Sequence, residues 1–314
     1  DNAWGPQFDF DKHDDTIGCK PSWDHVGNCL RRLIQDFHID GLRLDAVAQV
    51  ASHDFLKWLS IRCQEWSGTG HFYLIAEHLP EDPELVKNVA GLEATWNSAF
   101  YFTIRDGLMG DWDLLKLQSV LDPRKRGHSD PISVVNYIGT HDTGHMLHDL
   151  YEAGIGEQDA FARIRTAFVL LFAGMGIPQI WMGGEFGSST EKTLEPNPLD
   201  WSLLERDGNR DLHAFVHALA QIRREQGALR SPNIAFIMKD DERRLLAWRR
   251  WDDQGSVLIL LAHLDAGEVD CRLDLDEDDG DWIDVFDGDR QQRDEDDRLH
   301  LPIGSWQVRI LRKL

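Results

Sequence analysis

Five polar side chains stand out for their types and for where they fall. Arg43 and Asp45 lie in the run Asp40-Gly41-Leu42-Arg43-Leu44-Asp45-Ala46-Val47, Glu77 follows Phe72-Tyr73-Leu74-Ile75-Ala76, and His141-Asp142 follow an apolar run at 132–138. Side chains alternate across a strand, so Arg43 and Asp45 share a face. A cation beside a carboxylate holds it ionised, and an ionised, positioned aspartate is what covalent attack on a sugar carbon requires. Glu77 ends an apolar strand, where partial burial favours the protonated form. One charged and one protonated carboxylate, about 5–5.5 Å apart, is the division of labour in retaining glycoside chemistry. The first attacks C1; the second protonates the leaving oxygen and then activates water or an acceptor hydroxyl. Asp142 adds a third charge for an oxocarbenium-like transition state, and His141 can hydrogen-bond sugar hydroxyls.

Each residue also has a plain structural reading. Arg43 and Asp45 can be an ion pair at a strand end, Glu77 a solvated carboxylate, and His141-Asp142 a loop cap. A metal site of His141, Asp142 and Glu185 fits no common ligand spacing. The pattern carries more weight than its members, because Asp45, Glu77, His141, Asp142 and Glu185 all fall at the carboxyl ends of expected strands, where like charges would otherwise repel.

The elements that must position them alternate. Residues 1–20, with Trp4-Gly5-Pro6 and Phe8-Asp9-Phe10, read as a polar loop. Val26, Leu30, Leu33, Ile34 and Phe37 have helical spacing after Ser22 as cap. The strand at Asp45 follows, then a helix over 53–66, a break at Gly68-Thr69-Gly70, a strand over 72–76 and a weaker one over 92–96. Helices are expected over 99–108, 114–121, 158–172 and 212–226, and strands over 132–138 and 177–182. Strand and helix in turn argue for a parallel α/β sheet or barrel over 1–230, and the carboxyl ends of barrel strands are where active sites lie. Over 231–314 the texture becomes short alternating runs between Asp/Gly turns (245–251, 257–264, 269–275, 282–286, 306–311), an all-β sandwich domain.

Composition narrows the partners. The 314 residues are 42% hydrophobic with a net charge of −22, and carry twelve Trp and fourteen Phe. Such a surface repels nucleic acid and anionic membranes, while aromatics suit a sugar ligand. Between Asp265 and His300, 16 acidic side chains face four arginines, which reads as a solvated acidic face. Cys19, Cys29, Cys63 and Cys271 form no CxxC pair or metal spacing; buried free thiols and a reducing, cytoplasmic setting are the expectation. No apolar run reaches membrane-spanning length.

The motifs together resemble the α-amylase superfamily of glycoside hydrolases, which includes α-amylases, glycogen branching enzymes and maltooligosyl-trehalose hydrolases. The matching residues are Gly41-Leu42-Arg43-Leu44-Asp45-Ala46, Ile75-Ala76-Glu77, Thr140-His141-Asp142-Thr143, the 177–182 strand with Gly183-Gly184-Glu185-Phe186-Gly187, and Asn197-Pro198-Leu199-Asp200-Trp201. The resemblance implies Asp45 as nucleophile, Glu77 as acid/base, Asp142 as transition-state stabiliser, and Arg43 and His141 as substrate contacts. It implies action on α-1,4-glucans such as starch, glycogen and maltooligosaccharides, by hydrolysis or by transfer to a glucan hydroxyl. The chemistry needs no cofactor, and a structural calcium would be compatible.

The chain also departs from the family. An eight-stranded barrel is expected, and only strands resembling the fourth to the eighth are found. The first motif, an Asp and an Asn-His pair closing the third strand, has no counterpart before Trp4. Three absent strands would leave open edges. The expectation is therefore an incomplete (β/α)8 barrel followed by a β-sandwich, completed by a missing N-terminal half. The alternative is a non-catalytic glucan-binding or inactive fragment.

Overall fold

The computed structural model describes residues 5–68, 70–86, 90–275, 280–291, 293–296 and 298–314. Trp4, Thr69 and part of the acidic run (276–279 and 297) lie outside the described residues. Contacts group the chain into two compact units, one running to Ser98 and including Ile132–Val135, the other comprising Ala99–Pro131 and Asn136–Leu314.

In the first unit, helix α1 (Pro21–Phe37) leads to strand β1 (Gly41–Leu44), the short helix α2 (Val47–Val50), helix α3 (His53–Ser67), and strands β2 (Tyr73–Ala76) and β3 (Ala94–Trp96). Ser22 was the expected cap, but the cap position falls two residues earlier at Lys20, and α1 opens with Pro21, where the missing N–H is no loss. The Ser22 hydroxyl donates instead to the Asp9 carbonyl at 2.8 Å. Strand β1 pairs in parallel with β2, β2 with β3, and β3 with β4 (Val134–Tyr137). Gly41 is required at its place, since a Cβ there would lie 2.5 Å from the Tyr73 carbonyl oxygen across the pair. The core beneath the strands is Ile34, Phe55, Leu56, Leu59, Cys63, Leu74 and Leu92, with Trp23 and Trp58 packed against it. Burial pushes the Cys63 thiol up to about 12. Cys63 and Cys271 are buried as expected, but Cys19 is half-buried and Cys29 exposed.

The second unit contains most of α4 (Ser98–Leu108), then α5 (Leu114–Leu121), the hairpin β5 (Gly139–Thr140) and β6 (Gly144–His145), α6 (Met146–Glu152), α7 (Glu157–Ala173), β7 (Ile177–Gln179) and α8 (Asp207–Glu225). Strand β7 lies beside β4 and is three residues long, half the expected run. The α8 helix begins five residues before the expected start. The remainder is all β: β8 (Asn233–Asp240), β9 (Leu245–Trp251), β10 (Val257–His263), β11 (Val269–Leu273), β12 (Trp282–Asp284), β13 (Arg290–Gln291), β14 (Leu299–Ile303) and β15 (Gln307–Lys313). Six strands form a sheet in the order β13-β12-β15-β10-β9-β8, and β11 pairs with β14. Leu245, Ile259, Leu261, Trp282 and Leu311 of the larger sheet share a core with Cys271, Leu273, Leu299 and Leu301 of the smaller.

Strands β8 and β14 escaped the alternation rule for physical reasons. A bulge between Phe236 and Met238 breaks the two-residue period of β8. Pro302 interrupts β14, which tolerates it because Pro302 is exposed and the sheet has only two strands. The all-β segment starts at Asn233, close to the expected boundary at residue 230, which lies inside the second compact unit.

Candidate active site

Strands β1 and β2 run parallel with Leu44 opposite Ala76, so the residues that follow leave at one rim. Asp45 and Glu77 are those residues. The backbone at the rim is tightly laced: Glu77 N–H donates to the Leu44 carbonyl at 2.9 Å, and Val47 N–H to the Glu77 carbonyl at 2.8 Å. Between them Ala46 adopts a left-handed conformation at φ 47°, which is strained for a residue with a Cβ. That conformation brings its N–H to the Glu77 carboxylate, 3.0 Å from Oε2.

Arg43 gathers the two acids. Its Nη1 pairs with Asp45 Oδ1, and its Nη2 lies 2.8 Å from Glu77 Oε2. The guanidinium lies over the Trp96 ring at 4.3 Å from the centroid. The shared face of Arg43 and Asp45 follows strand alternation, but the arginine serves both carboxylates rather than Asp45 alone. Burial separates the acids: the Asp45 side chain is 74% exposed, that of Glu77 14%.

His141 and Asp142 sit in the turn of the β5–β6 hairpin, not directly at the end of a parallel strand. Side-chain hydroxyls build this turn. Thr140 N–H donates to Thr143 Oγ1 at 2.9 Å, and Asp142 N–H and Thr143 N–H donate to Thr140 Oγ1 at 3.1 and 3.3 Å. His141 Nε2 is 3.2 Å from Asp142 Oδ2, both side chains being exposed. Trp181 lies beside the imidazole at 6.1 Å between ring centroids, and Lys192 Nζ donates to the Asp142 carbonyl at 2.7 Å. In the same unit burial pushes the Tyr101 phenol up, and burial with nearby His148 pushes the His145 imidazole down. Glu185 folds back: its Oε2 accepts from Gly183 N–H at 2.8 Å, which makes it part of its own turn.

Trp96, Trp181 and Lys192 were not singled out by spacing. Both tryptophans closed or lay within expected strands, and that placement at a rim was the available signal. Among the described residues, no group of three or more His, Cys, Asp or Glu side chains is arranged to hold a metal ion. The carboxylate cradle a structural calcium would need is not found among them. Among the same residues no helix is long and apolar enough to cross a membrane.

No family model matches the chain. It is 26% identical over 332 residues to the 1,4-alpha-glucan branching enzyme GlgB of Burkholderia pseudomallei (strain 668), a match covering 89% of this chain and 44% of that enzyme. It is 26% identical over 242 residues to a cyclomaltodextrinase of a Bacillus species, covering 75% of this chain and 41% of that protein. Its fold is similar to that of the alpha-amylase from Geobacillus thermoleovorans solved with acarbose, with a TM-score of 0.76 and 16% identity over 93% of this chain and 64% of that one. The chain is similar in sequence to glucan-active enzymes of the α-amylase superfamily of glycoside hydrolases, and similar in fold to an amylase. An α/β fold with a carboxy-terminal β domain accords with that similarity. The chain spans less than half the length of these two curated relatives.

Proposed function

We propose that this chain carries the reacting carboxylates of a retaining glycosidase or transglycosylase acting on α-1,4-glucans, of the α-amylase or 1,4-α-glucan branching type. Asp45 attacks the anomeric carbon and forms a glycosyl-aspartate. Glu77 protonates the departing oxygen and then takes a proton from water, giving hydrolysis, or from a glucan hydroxyl, giving transfer. Asp142 stabilises the positive charge that develops on the sugar, and Arg43 and His141 contact substrate. The observation that carries the reading is the single Arg43 guanidinium paired with both Asp45 and Glu77. The relatives support the substrate class: a branching enzyme and a cyclomaltodextrinase in sequence, and an amylase with acarbose in fold. The chemistry uses no cofactor, and four free cysteines suit a reducing, cytoplasmic compartment.

The working part is taken as residues 1–230, an incomplete (β/α)8 barrel with strands corresponding to the fourth to eighth, followed by a β-sandwich over 231–314. Strand β1 stands at the end of its sheet order. A closed barrel has no such edge, so the edge is assigned to strands of an N-terminal half. In the complete assembly, Asp45→Asn should reduce turnover of soluble starch by several orders of magnitude. An unchanged rate removes Asp45 as nucleophile.

The short match to the curated relatives favours one rival, a glucan-binding chain without turnover. Calorimetric titration with maltoheptaose beside a reducing-sugar assay separates the two: heat without product supports the rival, and product excludes it.

A further inference from the structure

We infer that Trp96 is a positioning residue, whose ring holds the Arg43 guanidinium so that its two ends serve Asp45 and Glu77 together. This rests on the proposed reading, in which those two carboxylates react.

The strand register puts the ring where it is needed. Ala76 pairs with Thr95 across β2 and β3, so the next pair at the rim is Glu77 and Trp96. On its other side Trp96 pairs with Val135 of β4, and Asn97 N–H donates to the Val135 carbonyl at 2.9 Å. The ring therefore hangs from a backbone braced on both sides, and it is itself buried. A long, flexible arginine held by two carboxylates has no single geometry, because the Asp45 end is mostly exposed and can swing into water. A buried indole face 4.3 Å from the guanidinium removes that freedom. Trp is the aromatic best suited to this, and a desolvated cation–π contact is its stronger form. Glu77 Oε2 depends on the arrangement as well, since it is ion-paired with Arg43 Nη2 at 2.8 Å and accepts from Ala46 N–H at 3.0 Å. If the guanidinium drifts, the acid loses its ion-pair partner and the nucleophile loses its counter-charge.

A core aromatic with no such role would change stability and nothing else. The two cases separate in a double-mutant cycle on Arg43 and Trp96, read as kcat and KM on maltoheptaose with the complete active assembly. We expect Trp96→Leu to lower kcat about tenfold or more per folded molecule, with KM moved far less. Trp96→Phe, which keeps a smaller π face, falls between Leu and wild type. In an Arg43→Leu background, Trp96→Leu lowers kcat no further, because the group it positions is gone. If Trp96→Leu does not fold, the same cycle is run with Trp96→Phe and Arg43→Lys. Wild-type kcat in the Trp96 variant, or effects on kcat that simply multiply in the double variant, overturns the inference. An Asp45→Asn control keeps it separate from its premise: full activity there sinks the proposed chemistry, whereas an inactive Asp45→Asn beside a wild-type-like Trp96 variant sinks only the role of Trp96.

Discussion

Arg43 and Arg250 are both drawn in from solvent, one in each compact unit. Arg43 faces two carboxylates and an indole ring. Arg250 is fully buried, and among the described residues no carboxylate forms a salt bridge with it. Its Nε donates to the Asn233 carbonyl at 2.9 Å, its Nη1 to that of Ala173 at 2.5 Å, and its Nη2 to those of Ser231 and Leu229 at 2.8 and 3.3 Å. Arg223 works alongside it, donating to the carbonyls of Phe172 and Gly176 at 2.5 and 2.7 Å. Burial is the main reason both guanidiniums are pushed down, Arg223 to about 10 and Arg250 to about 9, with Arg223 itself adding to the second. Both stay charged at neutral pH. Their carbonyl partners at Phe172 and Ala173 end α7, where the helix dipole is negative and the last carbonyls need donors.

The difference lies in what each cation leaves free. Carbonyl oxygens gathered around Arg250 are satisfied by it and offer nothing to a ligand. Around Arg43 the partners are carboxylates with oxygens to spare, one of them on a mostly exposed side chain. An arginine paired with acids at an open rim can pass those acids to a substrate, whereas one sealed among carbonyls can only stabilise.

Exchanging the two is the strongest way to break this contrast. Arg43→Leu should lower kcat on soluble starch about 10²–10³-fold while barely moving the unfolding midpoint. Arg250→Leu should do the reverse: a loss of about 3–5 kcal/mol in urea unfolding with normal kcat per folded molecule. If both variants lose activity and stability alike, the contrast fails.

The β5–β6 turn tests an intermediate case, a polar cluster held by hydroxyls instead of ions. Thr140→Val removes the acceptor of Asp142 N–H and Thr143 N–H, and chemical unfolding should show a loss of about 1 kcal/mol per bond. Stability equal to wild type would mean water replaces that oxygen.

His145 gives the smallest effect, and its sign follows from burial. The folded imidazole titrates below its ordinary 6.5, so below that pH the unfolded chain binds more protons than the folded one. Stability is thus fully present above 6.5 and falls as the pH drops from there towards the lowered folded value. The slope should not exceed about 1.4 kcal/mol per pH unit, and His145→Phe should flatten it. Stability measured by urea unfolding that does not decline below 6.5 would contradict this.

Particular residues show where sequence reasoning stopped. Asp45 and Glu77 were legible because each directly follows an apolar strand, and one strand end is a local property. The helical face of α1 was legible from Val26, Leu30 and Ile34, which pack on the core, whereas Leu33 and Phe37 of the same expected face are exposed; its start was missed because the helix opens at Pro21, with Lys20 and not Ser22 in the cap position. Glu185 looked like another rim acid, but its carboxylate turned to the Gly183 N–H two residues away. The role of Arg250 left no local trace, since its partners come from α7, β8 and the segment between α8 and β8.

By itself the amino-acid order determined most of the helices and strands of the first 230 residues and that Asp45 and Glu77 follow strands, because those depend on spacing of two or about 3.6 residues along one chain. Tertiary structure alone decided that one guanidinium spans Asp45 and Glu77, that Trp96 lies beneath it, and that Arg250 is saturated by carbonyls. Those contacts join strands and helices through register and packing, and neither is encoded at short range.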